Sequence, residues 1–332
     1  MTGHPVGIVA TGSYVPKEEI GNEEVARRVG ATEEWIERKT HIRTRRWAAP
    51  AEAASDLGAR AAEDALLRAG LGPERIDYII VSTGTGDSPQ PPTACLVQDA
   101  IDARNAACFD ISVACSGFVY GLELARALLQ NRPEALVLLI STEVYSRFAN
   151  FADRRTAVLL GDGAAAAVVG VVPEGYGITA VDLSSAGDAH DLLKIEAGGS
   201  RLPASHETVD AAAHTVSMDG RGVRQFVLEH VPPVLERLLD AAGVEAAGVD
   251  HFVPHQPNGA LIQELAEASG LGGAVTHRTV EKYANVGSAS VPLTLADADR
   301  EGRLKKGETV VLAGFGGGMA VGACVMRWAV DA

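Results

Sequence analysis

The chain has 332 residues, of which 47% are hydrophobic and 22% charged, and its formal net charge is −14 at pH 7. This composition is typical of a globular protein that buries a large core without a disulfide or metal centre, and the acidic balance argues against nucleic acid or an anionic membrane as a partner. No apolar run reaches the roughly 18 residues of a membrane span and no signal-peptide pattern follows Met1, so we expect a cytoplasmic protein with reduced thiols.

Short apolar runs alternate along the chain with longer amphipathic ones, which predicts strands alternating with helices. The predicted strands are residues 6–10, 76–81, 106–111, 135–140, 157–160, 164–172, 176–183, 250–253, 310–313 and 320–328. The predicted helices are residues 22–29, 33–39, 53–69, 116–129, 222–242, 259–269 and 292–301. The pattern favours an α/β fold whose sheets carry helices on both faces.

The two halves of the chain have similar successions of elements. A weak boundary lies near Pro173-Glu174-Gly175, so we predict an N-terminal half over residues 1–174 and a C-terminal half over residues 175–332. The segment 186–213 is the most irregular, and it is expected to form a loop or a lid.

Cys115 lies where a predicted strand turns into a predicted helix, with Gly117 allowing close backbone approach. Free N–H groups and the positive end of a helix dipole favour a thiolate there, which would suit a nucleophile. The competing interpretation is a buried small hydrophobic residue, and it is preferred for Cys95, Cys108 and Cys324. No C-x-x-C or zinc-type spacing occurs, so no metal site is expected.

His255 and Asn285 are the candidate partners of this thiol. His255 follows a predicted strand and precedes a helix, a place where open α/β sheets bind ligands. Asn285 precedes a Gly- and Ser-containing turn. Taken alone, each has a plainer interpretation, a loop histidine and a turn asparagine that caps a helix.

A glycine-rich run, residues 314–318, follows the predicted strand 310–313. Its N–H groups are free to point at an anion or oxyanion, and a tight β-turn is the alternative. No helix follows and no acidic residue lies about 20 positions further on, so the run is not a nucleotide-binding fingerprint.

These segments, in this order, resemble β-ketoacyl-acyl-carrier-protein synthase III, the starter ketosynthase of the thiolase superfamily. The matching stretches span nearly the whole chain: GSYVP at 12–16, EWI at 34–36 with IR at 42–43, ACSGF at 114–118, DR at 153–154 with GDGA at 161–164, VPHQ at 253–256, Asn285 ahead of SASVP at 288–292, and FGGG at 315–318.

The resemblance implies a duplicated, five-layer α-β-α-β-α thiolase-like fold with two mixed sheets, usually assembled as a homodimer. Cys115 would carry an acyl group as a thioester, and His255 and Asn285 would support decarboxylation of a malonyl-type thioester. The N–H groups of Cys115 and Gly317 would form the oxyanion hole. Coenzyme A or phosphopantetheine thioesters would be substrates, an acyl carrier protein would be a partner, and no cofactor would be needed.

The resemblance also implies a substrate channel. Trp35 and Arg154 match positions that enclose the adenine of coenzyme A, and Arg224, Asn258 and Phe315 fall at further substrate-binding positions. Departures from the family pattern lie at residues 319–322, at Val286-Gly287, and at Lys39, Ala260 and Arg224. They favour a specialised relative in a fatty-acid or polyketide pathway.

Three other functions compete with condensation. The same acyl-Cys115 could pass its acyl group to a hydroxyl or amine, but relatives that do so tend to carry Asp where this chain has Asn285. A binding or scaffold role predicts loss of the nucleophile, which is present. A papain-like hydrolase also uses Cys, His and Asn, but its cysteine lies near the mature N-terminus in a different sequence context.

Overall fold

The computed structural model describes residues 3–331, so Met1, Thr2 and Ala332, at the ends of the two predicted halves, lie outside the described residues. The strands are β1 Val6–Tyr14, β2 Glu18–Gly21, β3 Thr44–Trp47, β4 Tyr78–Ser82, β5 Ala107–Ile111, β6 Val137–Val144, β7 Asp162–Val171, β8 Gly177–Ser185, β9 Leu193–Ile195, β10 Val216–Met218, β11 His251–Pro254, β12 Val275–Thr276, β13 Thr309–Gly316 and β14 Ala320–Arg327. The helices are α1 Asn22–Val29, α2 Glu33–Thr40, α3 Ala54–Ala69, α4 Thr93–Ala100, α5 Gly117–Asn131, α6 Arg154–Ala157, α7 His206–Asp210, α8 Gly220–Ala242, α9 Gly259–Ala268, α10 Val280–Tyr283 and α11 Ser290–Arg300.

Two five-stranded mixed sheets share one topology. The first has the order β1-β7-β6-β4-β5 and the second has the order β8-β14-β13-β11-β12. In each sheet the first three strands of this order pair antiparallel and the last three pair parallel. The strands of the first sheet come from residues 6–171 and those of the second from residues 177–327. The strand order and pairing are therefore duplicated.

Five layers follow from how the apolar side chains are distributed. Alternate residues of a strand face opposite sides, so Ile80 faces the central layer with Phe118 of α5, whereas Ile79 and Val81 face α3 and α4. The second sheet does the same, with helices α8 and α9 covering its outer face. Helices α5 and α11 thus lie between the sheets, and the order is α-β-α-β-α, as the family resemblance implies.

Most predicted elements are present within a few residues of the expected bounds, but one strand is wrong. Residues 157–160 do not form a strand, because Arg154–Ala157 is a short helix that Asp153 caps through the N–H of Arg155. The next strand, β7, begins at Asp162, two residues before the predicted start at 164.

The irregular segment 186–213 contains regular structure as well as loop. It holds β9, which pairs with β10 in a two-stranded sheet, and the short helix α7. Within residues 3–331, no helix has the length and apolarity that crossing a bilayer requires.

Candidate active site

A cavity of about 340 Å³ lies where the carboxyl ends of parallel strands from both sheets converge. Strands β4, β5 and β6 are parallel, so the segments that follow them meet at one edge of the first sheet. Strands β11 and β13 direct their carboxyl ends to the same place from the second sheet. The lining includes Gly84, Cys115, Tyr145, Thr156, Leu159, Leu193, Ile195, Val216, Met218, Asn285, Gly287, Gly317 and Gly318.

Cys115 lies in a 3₁₀ turn between β5 and α5, which begins at Gly117. The preceding residue, Ala114, has φ of 43°, a left-handed conformation that costs a residue with a β-carbon free energy and recurs at functional sites. Gly316 of β13 packs directly on the cysteine, since a β-carbon at 316 would lie 2.9 Å from Sγ. The turn and the neighbouring strand therefore fix the position of the sulfur.

The thiol of Cys115 is buried, with only 5% of the residue exposed. Burial, and secondarily the negative charge of Glu143, raise the pKa of this thiol to about 12. Desolvation therefore opposes the thiolate that the helix N-terminus is predicted to favour, while a backbone hydrogen bond at Cys115 acts in the predicted direction and lowers the pKa. Cys115 is a neutral thiol at physiological pH and must lose its proton when it reacts.

His255 follows β11 and is 2% exposed. Its ring contacts the Phe315 ring edge-on at 5.3 Å between centroids, and its backbone N–H donates to the Ala313 carbonyl at 2.7 Å. Gly316, the residue after Phe315, touches Cys115, so neighbouring residues of β13 contact the imidazole and the thiol.

Burial also decides the charge of this histidine. It lowers the pKa of His255 to about 3, so the imidazole is neutral at physiological pH. Its Nδ1 has no hydrogen-bond partner among the described residues. A neutral imidazole can donate one hydrogen bond without transferring charge.

Asn285 lines the cavity together with Cys115. Its backbone N–H donates to the Leu159 carbonyl at 2.8 Å, and its carbonyl accepts from the Gly161 N–H at 3.0 Å. The N–H of Gly287 donates to its Oδ1 at 2.9 Å, which fixes the side-chain amide. Ala284 before it has φ of 60°, so Asn285, like Cys115, follows an alanine with positive φ. Asn285 therefore has the predicted turn role, and its role in the reaction stays a prediction.

Gly317 lines the same cavity wall as Cys115, and the run 314–318 surrounds the cysteine turn. Gly314 is as close to this turn as Gly316, since its β-carbon would lie 2.9 Å from the Cys115 carbonyl oxygen. Strand β13 extends to Gly316, so the glycines end a strand rather than forming an isolated turn. The close approach explains why glycine is required here.

The structure also brings Trp35 and Arg154 together. The guanidinium of Arg154 lies 5.2 Å from the centre of the Trp35 ring. Trp35 belongs to α2 and Arg154 begins α6, so this pair bridges two segments that are far apart in sequence.

His255, Trp35 and Arg154 are not among the residues that line this cavity, and neither are Arg224, Asn258 and Phe315. Arg224 forms an ion pair with Glu264 at 2.7 Å and lies in a separate surface groove. The side chain of Asn258 caps α9 by accepting from the Leu261 N–H at 2.9 Å. Phe315 is buried and its ring packs against the ring of His255. Arg224, Asn258 and Phe315 remain predictions as substrate-binding residues.

Sequence reasoning did not identify Glu143 or the two-stranded sheet formed by β9 and β10. Glu143 lies near the end of β6, is fully buried, and acts electrostatically on Cys115. An acidic residue soon after an apolar strand was the available signal. Leu193, Ile195, Val216 and Met218 of β9 and β10 supply an apolar wall of the cavity.

A larger open groove of about 700 Å³ lies between the end of α8 and the end of α9. None of the predicted site residues lines it, so the cavity at Cys115 is the candidate active site. Among residues 3–331, no three His, Cys, Asp or Glu side chains are grouped closely enough to hold a metal ion.

The duplicated five-layer architecture and the buried cysteine in a cavity at the strand ends define a thiolase-fold protein. Family models agree: residues 109–187 match the 3-oxoacyl-[acyl-carrier-protein (ACP)] synthase III model, and residues 239–328 match the model of its C-terminal part. The protein belongs to the β-ketoacyl-acyl-carrier-protein synthase III family.

Individual relatives cover almost all of the chain. It is 45% identical over 330 residues to the acetoacetyl CoA synthase NphT7 of Streptomyces sp. (strain CL190), covering 99% of this chain and 100% of that protein. It is 45% identical over 322 residues to the β-ketoacyl-[acyl-carrier-protein] synthase III of Clostridioides difficile (strain 630), covering 97% and 98%. The crystal structure of the priming β-ketosynthase from the R1128 polyketide biosynthetic pathway superposes with a TM-score of 0.90 at 33% identity, covering 98% of this chain and 97% of that one.

Proposed function

We propose that this protein is an enzyme that condenses an acyl thioester with a malonyl-type thioester, with loss of carbon dioxide, in a fatty-acid or polyketide pathway. One observation carries the proposal: a buried thiol, a fixed side-chain amide and a glycine-rich strand end line one cavity, and a neutral imidazole contacts Phe315 of the same strand. The names of the relatives, which are condensing enzymes, support it.

In the first step, Sγ of Cys115 attacks the carbonyl carbon of the acyl thioester. The bond from that carbon to the departing thiol breaks, and the thiol proton of Cys115 leaves with the departing sulfur. The N–H groups of Cys115 and Gly317 stabilise the negative charge that develops on the carbonyl oxygen. Because burial raises the pKa of this thiol, its proton must be transferred as the sulfur attacks.

In the second step, the malonyl-type thioester loses carbon dioxide, and the electrons of the broken carbon–carbon bond form an enolate. Neutral donors from His255 and Asn285 bind the enolate oxygen, and neither residue needs to act as a strong base. The enolate carbon then attacks the acyl carbonyl carbon on Cys115, the carbon–sulfur bond breaks, and the departing thiolate takes up a proton from solvent to restore the thiol. A neutral His255 and an amide at 285 both match this need.

Transfer of the acyl group to an alcohol or amine is the other use of an acyl-cysteine. That reaction needs a base near the acceptor hydroxyl, and an asparagine at 285 cannot accept its proton. The charge state of His255 also opposes it, because a histidine held at low pKa is a weak base. Condensation is therefore the better use of this site.

The testing experiment supplies purified protein with acyl-CoA and with ¹⁴C-carboxyl-labelled malonyl-CoA or malonyl carrier protein. Release of labelled carbon dioxide with a β-keto product supports condensation. Acyl transfer to an added alcohol without decarboxylation overturns the proposal. Asn285→Asp, which keeps the shape but loses the donor, should still accept the acyl group and should decarboxylate about 100-fold more slowly. Cys115→Ser should accept none.

Carrier docking and dimer formation are part of the same proposal. One relative's name refers to a coenzyme A product and another's to a carrier protein, so both malonyl thioesters are tested. Strand β5 is an edge of the first sheet, with one side free to pair with a second copy of the chain. Light scattering measures whether the protein is a dimer in solution.

A further inference from the structure

Glu143 is a buried carboxylate beside the cavity. It is fully shielded from solvent near the end of β6, and within residues 3–331 no cationic side chain pairs with it. Its oxygens instead accept from the Gly84 N–H at 3.1 Å and from the Thr85 hydroxyl at 2.6 Å. Burying a charged carboxylate costs free energy unless hydrogen bonds compensate, and these hydrogen bonds provide that compensation for Glu143.

The same carboxylate reaches a second segment. Oε1 accepts from the Ser288 N–H at 3.4 Å, and Cγ lies 3.1 Å from where a β-carbon of Gly287 would be. Ser288 is also held by its hydroxyl, which donates to the Ser82 carbonyl at 3.0 Å. Glu143 therefore joins the segment after β4 to the Gly287–Ala289 turn.

This turn sets the orientation of Asn285. The N–H of Gly287 donates to Asn285 Oδ1, so the turn holds the oxygen end of the side-chain amide. Gly84, Asn285 and Gly287 all line the cavity. A chain of short contacts thus runs from Glu143 through the turn to the amide.

Glu143 contacts its neighbours through these hydrogen bonds and also acts on two of them by its charge. Burial first, and the charge of Glu143 second, raise the pKa of Cys115 and of Tyr145, and burial raises the pKa of Glu143 itself to about 7. No hydrogen bond joins its carboxylate to the Cys115 sulfur among the described residues. A role as the direct proton acceptor of Cys115 is therefore not supported by the geometry.

We propose that Glu143 is a positioning residue for condensation: its carboxylate fixes the Gly287–Ser288 turn and thereby aims the Asn285 amide at the enolate oxygen. The inference rests on the proposed function and deepens it. A glutamine at 143 has one acceptor oxygen, which can face Ser288 or Thr85 but not both, so one of the two segments loses its acceptor. Formation of the acyl-cysteine does not use Asn285 and should be insensitive to this loss.

The experiment measures two rates in the same preparations. Acylation of Cys115 by acyl-CoA is followed by rapid-quench mass spectrometry, and condensation is followed with malonyl-CoA. For Glu143→Gln, we expect acylation within about 3-fold of wild type and condensation slower by about 10-fold or more, because a misaimed donor loses part of its contribution. The ratio of the two rates is the readout, since a general structural defect lowers both.

Asp110→Asn is the matched control. Asp110 also accepts from two backbone N–H groups, those of Thr93 and Ala94 at 2.7 and 2.8 Å, but it belongs to β5, holds the start of α4 and does not line the cavity. The ratio should be unchanged in this variant. Glu143→Asp, which withdraws both oxygens by one methylene, should reproduce the selective loss.

Equal losses of both rates in Glu143→Gln, or no loss of either, would overturn the positioning role while leaving wild-type condensation in place. Failure of both Glu143 variants to fold would assign this residue to the stability of the fold, and would also overturn it. A wild-type protein that is acylated but forms no β-keto product would refute the proposed function itself, and the role of Glu143 with it.

Discussion

Gly316 and Cys115 are in direct contact, and no additional carbon atom fits between them. A β-carbon at 316 would lie 2.9 Å from both Cβ and Sγ of Cys115. Real β-carbons essentially never approach other heavy atoms so closely, and the cysteine turn is itself held in a strained conformation by Ala114. The position of the sulfur is therefore defined by a residue that has no side chain.

Gly316→Ala tests this contact. The added methyl group must displace the cysteine turn, so we expect acylation of Cys115 to fall by about 100-fold, and the free energy of unfolding to fall by about 1–3 kcal/mol. Acylation is measured by intact-mass spectrometry and stability by urea denaturation. Gly272→Ala is the control, since no heavy atom lies within 4 Å of its β-carbon position. Wild-type acylation in Gly316→Ala would contradict the contact.

The protonation state of Cys115 predicts how the free protein reacts with iodoacetamide. Because burial raises the pKa of this thiol to about 12, the thiolate fraction is small at neutral pH and grows with pH. The rate of alkylation at Cys115 should rise roughly tenfold per pH unit from pH 7 to pH 10, without a plateau. Peptide mass spectrometry assigns the label among the four cysteines. A plateau below pH 8 would show that the thiolate is stabilised after all.

His255 predicts part of the pH dependence of stability. Its pKa is about 3 in the folded protein and about 6.5 unfolded, so the unfolded chain binds more protons as pH falls. Stability is therefore present above pH 6.5 and is lost as pH falls towards 3. This histidine alone should account for about 2 kcal/mol of the stability lost between pH 7 and pH 5.

Urea denaturation at both pH values measures this contribution. Between pH 7 and pH 5, the free energy of unfolding should fall by about 2 kcal/mol less in His255→Asn than in wild type, because asparagine does not titrate. In His190→Asn the fall should match that of wild type, because the side chain of His190 is exposed. Equal losses in wild type and His255→Asn would contradict the burial of a neutral imidazole.

Trp35 and Arg154 predict a dependence on the adenine of coenzyme A. If adenine inserts between ring and guanidinium, Trp35→Ala removes one stacking surface and should raise KM for acyl-CoA about 10-fold with kcat nearly unchanged. The same acyl group on pantetheine, which has no adenine, should react equally well with both proteins. An equal rise in KM for both substrates would place the adenine elsewhere.

Much of the fold could be predicted from the sequence because the strands are nearly all apolar. The helix at Asn22–Val29 was predicted with its observed bounds, since Gly30 ends it in a left-handed conformation. Strands β2, β3, β9 and β10 were missed because they are three or four residues long and mostly polar or half-buried, so they have no distinctive periodicity. The sequence pattern predicts no helix or strand for the segment that forms α4.

Some features of the candidate active site could likewise be predicted from the sequence, and others could not. The positions of Cys115 and His255 at the ends of strands could be predicted, because local sequence shows where a strand ends, whereas Asn285 follows helix α10. The protonation of Cys115 could not be predicted, since it depends on how deeply the folded chain buries the sulfur. Glu143 was missed for the same reason: its partners lie 58 and 145 residues away along the chain.

The separation of the two sheets along the chain has a consequence for engineering. Cys115 and Glu143 come from the segment that builds the first sheet, whereas His255, Asn285 and Gly317 come from the segment that builds the second. A break at the exposed Glu174 would produce two fragments, each with only part of these groups and with a bare apolar surface where α5 or α11 belongs. Neither fragment is competent alone, so catalysis would report on their reassembly, and the enzyme could serve as a split reporter of fragment complementation.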